Sequence, residues 1–315
     1  MINIIGGAGF VGNKLSTILR DNGKQHCVYD KTLSGEAFID VTDLSSFENM
    51  AHCTVIINLA AEHRDNVEPK SLYDAVNVDG AVNVCKYCEA NDIKKIIFTS
   101  SVAVYGLGTD QADETTPTVP FNDYGRTKLL AEHVYIDWLN KSPTERTLII
   151  IRPTVIFGEG NRGNVYNLFK QIHSGSFLIF GSGNNKKSMA YVENVARFIE
   201  HCDDNLESGL HVYNYADTPD LTMNELVKIC RARFFMKPGT GLHLPSVIGL
   251  VVGYFFDVIN KLLPRATSIS SVRIKKFMAN TTFATAAGTT SFVAPVTLKQ
   301  GIERTLQYEF FDDEE

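Results

Sequence analysis

Short apolar runs alternate with longer stretches of helical period through the first two thirds of the chain. "INIIG" at 2–6 precedes a helical pattern over about 11–22. "HCVYD" at 26–30 and "TVIINLA" at 54–60 follow. A helical pattern over about 71–91 leads to "KKIIFTSS" at 94–101. Another, containing Tyr124, leads to "TLIIIRP" at 147–153, and a helix near 192–202 leads to "LHVYNYA" at 210–216. Strands apolar at every position are buried on both faces, as in a parallel sheet covered by helices. The alternation predicts an α/β fold with a doubly wound parallel sheet of the Rossmann type.

After Pro153 the pattern loosens, and Gly- and Asn-rich stretches appear at 158–164 and 181–185. Because the helix near 192–202 and the strand at 210–216 rejoin the sheet pattern, the two domains are expected to interleave. Residues 1–159 and 189–216 are assigned to the dinucleotide-binding domain. Residues 160–188 and 217–315 are assigned to a smaller, C-terminal substrate lobe. The 315 residues, 44% hydrophobic and 21% charged, are enough for two domains and a large core.

Charge and cysteine content narrow the function. A net charge of −6 with no contiguous basic run offers nothing for nucleic acid. The closing "FFDDEE" reads as a solvated tail. Of six cysteines only Cys85 and Cys88 form a CxxC, and no second pair answers it. They are expected to be buried thiols, and no metal site is assigned. The opening "MINII" resembles a strand and no secretory signal, so a reduced, cytoplasmic setting is expected. The segment 244–264 has an uninterrupted apolar run only over Val247–Phe256, broken by Asp257, Asn260 and Lys261. That is short of the roughly 20 residues a spanning helix needs. A core or interface helix is expected, with shallow membrane contact as the alternative.

"IIGGAGFVG" carries the first chemistry. Gly6, Gly9 and Gly12 follow directly on the first strand, and Phe10 and Val11 open the next helix. A tight strand-to-helix turn needs unusual backbone angles, and close approach to a pyrophosphate needs a missing side chain. The helix N-terminus adds free N–H groups and a positive dipole end. Asp30 ends the second strand 18 residues after Gly12. That is where a carboxylate accepts from the adenosine ribose of NAD and repels the extra phosphate of NADP. Lys31 beside it blunts the preference, and a plain turn role for Asp30 is the competing reading.

"YGRTK" at 124–128 spaces Tyr124 and Lys128 by four, on one helix face. A lysine ammonium beside a phenol lowers its pKa and makes it a usable general base. Thr99, Ser100 and Ser101 end a strand, at the edge of the sheet that faces the ligand crevice. Glycine turn, strand-end serine and Tyr-x-x-x-Lys together form a constellation.

With "DVTD" at 40–43, "NLAA" at 58–61, "NVDG" at 77–80, "FTSSVAVYG" at 98–106 and "RPTVIFG" at 152–158, the chain resembles the extended short-chain dehydrogenase/reductases of the nucleotide-sugar epimerase/dehydratase family. The resemblance covers nearly all of 1–216. It implies Ser101, Tyr124 and Lys128 as the catalytic set and NAD as cofactor. It places Asp40 and Val41 at the adenine, and Ala60 and Ala61 along the phosphates and ribose. Asn77 and Ser100 are implied to hold the cofactor, and Pro153 to lie near the nicotinamide. Asn164 matches a sugar-nucleotide position. Lys187 stands where the family has a diphosphate-binding arginine. Arg273 is a candidate phosphate ligand, and His63, just after "NLAAE", a candidate substrate contact.

Within the resemblance, dehydratases carry Asp-Glu directly after the catalytic serine or threonine. Here Val102 and Ala103 follow Ser101. A decarboxylase's nearby glutamate is missing too. The expectation is therefore a 4-epimerase acting on a UDP-sugar by transient oxidation at C4. A 4-keto reductase consuming NAD(P)H is the alternative, and a non-catalytic NAD(P) sensor the remote one. The family's dimers pair the helices over about 71–91 and 124–140. A homodimer is implied, through apolar stripes such as Leu129, Leu130, Val134 and Trp138.

Overall fold

The computed structural model describes residues 1–64, 67–108, 110–237, 239–262, 271 and 278–312. The chain divides into two compact units. One comprises Met1–Ile156, Ala190–Ala216 and Phe283–Val296, the other Phe157–Met189, Asp217–Thr282 and Thr297–Glu315.

The first unit is built on six parallel strands: β1 (Ile2–Ile5), β2 (His26–Tyr29), β3 (Val55–Asn58), β4 (Lys95–Thr99), β5 (Thr147–Pro153) and β6 (Gly209–Tyr215). They lie in the order β6-β5-β4-β3-β1-β2. The chain reverses its direction of travel between β1 and β3, so a crevice opens at the carboxyl ends of those two strands.

The apolar runs explain the layers. Successive β5 residues point to opposite faces. Leu148 and Ile150 join one core with Ile5, Ile56, Phe98, Tyr135 and Trp138, while Ile149 and Ile151 join another with Ile4, Ile57, Leu15 and Phe198. Helices α1 (Phe10–Asp21) and α5 (Val192–Asn205) contribute to the second face, and α2 (Gly80–Ala90) and α3 (Asp123–Asn140) to the first.

Two features depart from the pattern. The helical stretch before β4 is not uniform. It begins at Ser71–Tyr73, widens into a π-helix over Asp74–Asp79 and becomes α-helical over Gly80–Ala90. Phe283–Val296 packs within the first unit. Phe283 bridges to Ala112, Phe292 meets Phe198, and the Asn194 side chain both donates to the Val296 carbonyl and accepts from its N–H.

The second unit holds helices α4 (Asn164–His173), α6 (Met223–Phe235), α7 (Ser246–Leu262) and α8 (Leu298–Phe310). Capping boxes start two of them, Thr222 with Glu225 and Thr297 with Gln300. His173, Phe234 and Phe310 pack in tilted and edge-on contacts where α4, α6 and α8 meet. The Glu309 carboxylate accepts from the Gly160 N–H at 2.7 Å.

Candidate active site

The turn after β1 needs its glycines. Gly6 has φ +76°, and a Cβ there would stand 2.5 Å from the Ala60 nitrogen. The ends of β1 and β3 therefore touch, backbone to backbone, at the switch point. A Cβ on Gly12 would meet Gly7 at 2.5 Å, so α1 packs directly on the turn. Gly9 caps α1, which starts at Phe10, and lends no side-chain acceptor to the first N–H groups. A bare helix N-terminus over a glycine turn fits a dinucleotide pyrophosphate.

Asp30 closes the side of this turn. Its carboxylate accepts from the Ala8 N–H at 3.3 Å and from the Thr32 N–H and hydroxyl at 3.0 and 2.9 Å. It is both a turn residue and an anion at the edge of the glycine loop; Lys31 beside it is exposed. Asp40 makes a similar turn with Thr42, while Val41 is buried against Gly80. Ala60 donates to the Asn58 side chain at 3.0 Å, and Ala61 follows, half-buried.

Ser101, Tyr124 and Lys128 come from two neighbouring segments. Ser101 follows β4 and opens a 3-10 turn over Val102–Tyr105. Its Oγ accepts from the Ala103 N–H at 3.1 Å. Gly125 permits this packing, because a Cβ there would meet the Ala103 carbonyl at 2.4 Å. One turn along α3, Lys128 is 2% exposed, with Nζ 4.2 Å from the centre of the Phe98 ring.

The electrostatics differ from the expectation. Burial raises the Tyr124 phenol, and only the Ser101 hydrogen bond opposes it. Burial also brings the Lys128 ammonium down to about 7, against which the Glu132 charge pulls up. A lysine that has shed much of its own charge does little to lower a neighbouring phenol. Desolvation outweighs proximity here.

The structure gives two expected cofactor residues partners inside the protein. The Ser100 hydroxyl donates to Glu132 at 2.5 Å. Asn77, in the π-helical stretch, donates to the Glu62 carbonyl and the Thr127 hydroxyl and accepts from the Glu62 N–H. It thereby ties the segment after β3 to the Tyr–Lys helix. Glu62 is held down to about 2 by its hydrogen bonds and ion pair with Arg64. His63, between them, is exposed, and Pro153 ends β5 in register with Tyr215.

Beneath the catalytic candidates lies a buried chain of polar groups that sequence reasoning missed. Arg152 donates from Nε and Nη2 to both oxygens of Glu132, at 2.9 and 2.6 Å, and from Nη1 to the Tyr105 hydroxyl at 2.8 Å. Tyr105 donates to Asn214 at 2.8 Å, and the Asn214 N–H donates to Glu114 at 2.7 Å. Burial pulls the Arg152 guanidinium down, but Glu132 outweighs it and the net shift is upward. Two signals were available. Glu132 shares the helix face of Tyr124 and Lys128, and an arginine inside the apolar run "TLIIIRP" demands a buried anion.

In the second unit, Asn164 begins α4. Lys187 is half-buried, its Nζ donating to the Ala279 carbonyl and the Thr281 hydroxyl at 2.7 and 2.9 Å, and burial lowers its ammonium to about 8. Arg273 lies outside the described residues. Of the apolar stripe on α3, Trp138 is 1% exposed and belongs to the sheet core, and Val134 packs against the same core, because the sheet face claims them. Leu130 remains 37% exposed.

A parallel sheet with a glycine turn at its switch point and a serine–tyrosine–lysine set beside it defines a dinucleotide-dependent enzyme of the extended short-chain dehydrogenase type. The model of the NAD dependent epimerase/dehydratase family matches residues 2–216, and the chain belongs to that family. It is 49% identical over 317 residues to an N-acetyl-alpha-D-glucosaminyl-diphospho-ditrans,octacis-undecaprenol 4-epimerase of Escherichia coli O157:H7, covering 98% of this chain and 94% of the relative. It is 28% identical to a UDP-glucose 4-epimerase of Vibrio cholerae, covering 97% and 94%. The UDP-glucuronic acid 4-epimerase of Bacillus cereus, solved with NAD, shares the fold at a TM-score of 0.72 and 19% identity, covering 98% of this chain and 97% of that one.

Proposed function

We propose that the protein is a C4 epimerase of an N-acetylhexosamine carried on a diphosphate, with the polyprenol-linked form as its substrate and NAD as a cofactor that is not consumed. The observation that carries the reading is the Ser101–Tyr124–Lys128 set, with Ser101 at the end of a strand beside the helix of Tyr124 and Lys128, where Val102 and Ala103 bring no carboxylate. The lipid carrier is supported by the 49% identical relative.

NAD supplies the acceptor and later the donor of the C4 hydride. The positive charge of oxidised nicotinamide would favour the Tyr124 phenolate, and in that form Tyr124 would take the proton of the C4 hydroxyl and return it in the second half of the cycle. Ser101 hydrogen-bonds the reacting oxygen, its own Oγ oriented by the Ala103 N–H. Burial brings the Lys128 ammonium down to about 7, so its charged and neutral forms are both populated near neutral pH. On this reading the enzyme serves polysaccharide biosynthesis and is cytoplasmic. A homodimer through α2 and α3 fits the exposed Leu130. Sedimentation showing a monomer at micromolar concentration overturns that part.

The test incubates detergent-solubilised N-acetylglucosaminyl diphosphopolyprenol with the enzyme in deuterated water, without added cofactor. An epimer with hydrogen retained at C4 is expected. Turnover only of UDP-N-acetylglucosamine would reject the lipid carrier. One-for-one consumption of added NAD(P)H by a 4-keto sugar would establish a reductase.

A further inference from the structure

Helix α7 of the second unit turns an apolar face outward. Val247, Ile248, Val251, Tyr254 and Phe255 are 66, 45, 62, 52 and 61% exposed, and their spacing puts them on one side of the helix. The other side faces protein, with Gly249 buried and Phe256 and Ile259 half-buried. Just upstream, Met236 and Leu242 are 92 and 62% exposed. So much exposed apolar surface on consecutive elements marks an interaction surface.

The charge of the flanking sequence points to the partner. From Leu226 to Ile302 the sequence carries ten Lys and Arg against one acid, Asp257. The whole chain has 30 Lys and Arg against 36 Asp and Glu, so the remainder is acidic, 20 against 35. The single acid is turned to an internal use, accepting from the Ser271 N–H at 3.2 Å. Lys228, Arg233 and Lys237 are exposed. An apolar helix face inside a basic stretch of an otherwise acidic protein complements an anionic lipid surface, where acyl chains take the apolar side chains and headgroup phosphates take the cations. No helix among the described residues is long and apolar enough to cross a membrane, so α7 would lie in the plane of the interface.

We infer that α7 seats the enzyme on the surface of an anionic bilayer. The purpose of the contact rests on the lipid-linked reading above: a substrate with a polyprenyl tail is confined to the membrane, and an enzyme docked there meets it in two dimensions.

The experiment co-sediments the full chain, without substrate, with phosphatidylglycerol/phosphatidylethanolamine vesicles and with pure phosphatidylcholine vesicles. Binding to the anionic vesicles is expected, weakening at high salt and at least tenfold weaker in Val251→Asp/Phe255→Asp. Turnover of the lipid-linked substrate in detergent should stay at the wild-type level in that variant, since the face lies outside the catalytic set. Val251→Ser/Phe255→Ser serves if the first pair does not fold. Absence of vesicle binding, or binding that both variants retain, overturns the inference. So does a wild-type dimer that these substitutions dissociate and that ignores vesicles, because a second copy then covers the face. Failure of lipid-linked turnover in detergent, with vesicle binding intact, overturns the substrate reading alone.

Discussion

Glu132 grips Arg152 by two parallel hydrogen bonds of 2.9 and 2.6 Å, in a site where the Glu132 side chain is 1% and the Arg152 side chain 9% exposed. The same carboxylate holds Ser100, next to Ser101, and stands one helical turn from Lys128. Strand β5 is thereby clamped to the helix that carries Tyr124 and Lys128.

Breaking this clamp leaves a buried charge without its partner. Arg152→Met is expected to destabilise the first unit by about 3–5 kcal/mol, measured by denaturant unfolding. Combining it with Glu132→Leu should recover much of that loss, because no ion is then stranded. A single-variant loss below about 1 kcal/mol would mean that water reaches the pair.

Tyr124→Phe should lower turnover on the order of 10²–10⁴-fold while circular dichroism and the melting temperature remain near wild type. The phenolic hydroxyl is lost, but the ring is kept. Activity within threefold of wild type sinks the acid–base assignment.

Lys128 gives the protein a pH signature. Its ammonium is brought down to about 7 in the fold, from an ordinary 10.5. Between those values the unfolded chain holds the proton and the folded one does not, so stability rises with pH through that window, by at most about 1.4 kcal/mol per pH unit. Lys128→Met is expected to be inactive, more stable than wild type at pH 7, and to lack that rise. Parallel stability curves for the two proteins between pH 7 and 9 would contradict the burial argument.

Asp30 should set the choice of dinucleotide. Asp30→Ala is expected to weaken NAD about tenfold, through one lost charge-assisted hydrogen bond, and to narrow its margin over NADP. Calorimetric titration of both cofactors checks this. An unchanged ratio would leave Asp30 with only its bonds to Ala8 and Thr32.

The sequence by itself determined the six strands, the glycine turn and the Tyr124–Lys128 spacing. These are local patterns: full burial demands an unbroken apolar run, Gly6 must adopt φ +76°, and a four-residue spacing lies on one helix face wherever the helix goes. Tertiary structure decided whatever depends on distant partners. Glu132 and Arg152 are 20 residues apart, and Asn77 reaches Thr127 across 50. Trp138 reads as one of a surface stripe until the sheet claims it, and Phe283–Val296 joins the first unit through contacts with Ala112 and Asn194 that no periodicity encodes. The proton affinities of Tyr124 and Lys128 were fixed the same way. Spacing predicts their proximity, but how much water each group loses is set by the segments folded over it, and here that loss outweighs the proximity.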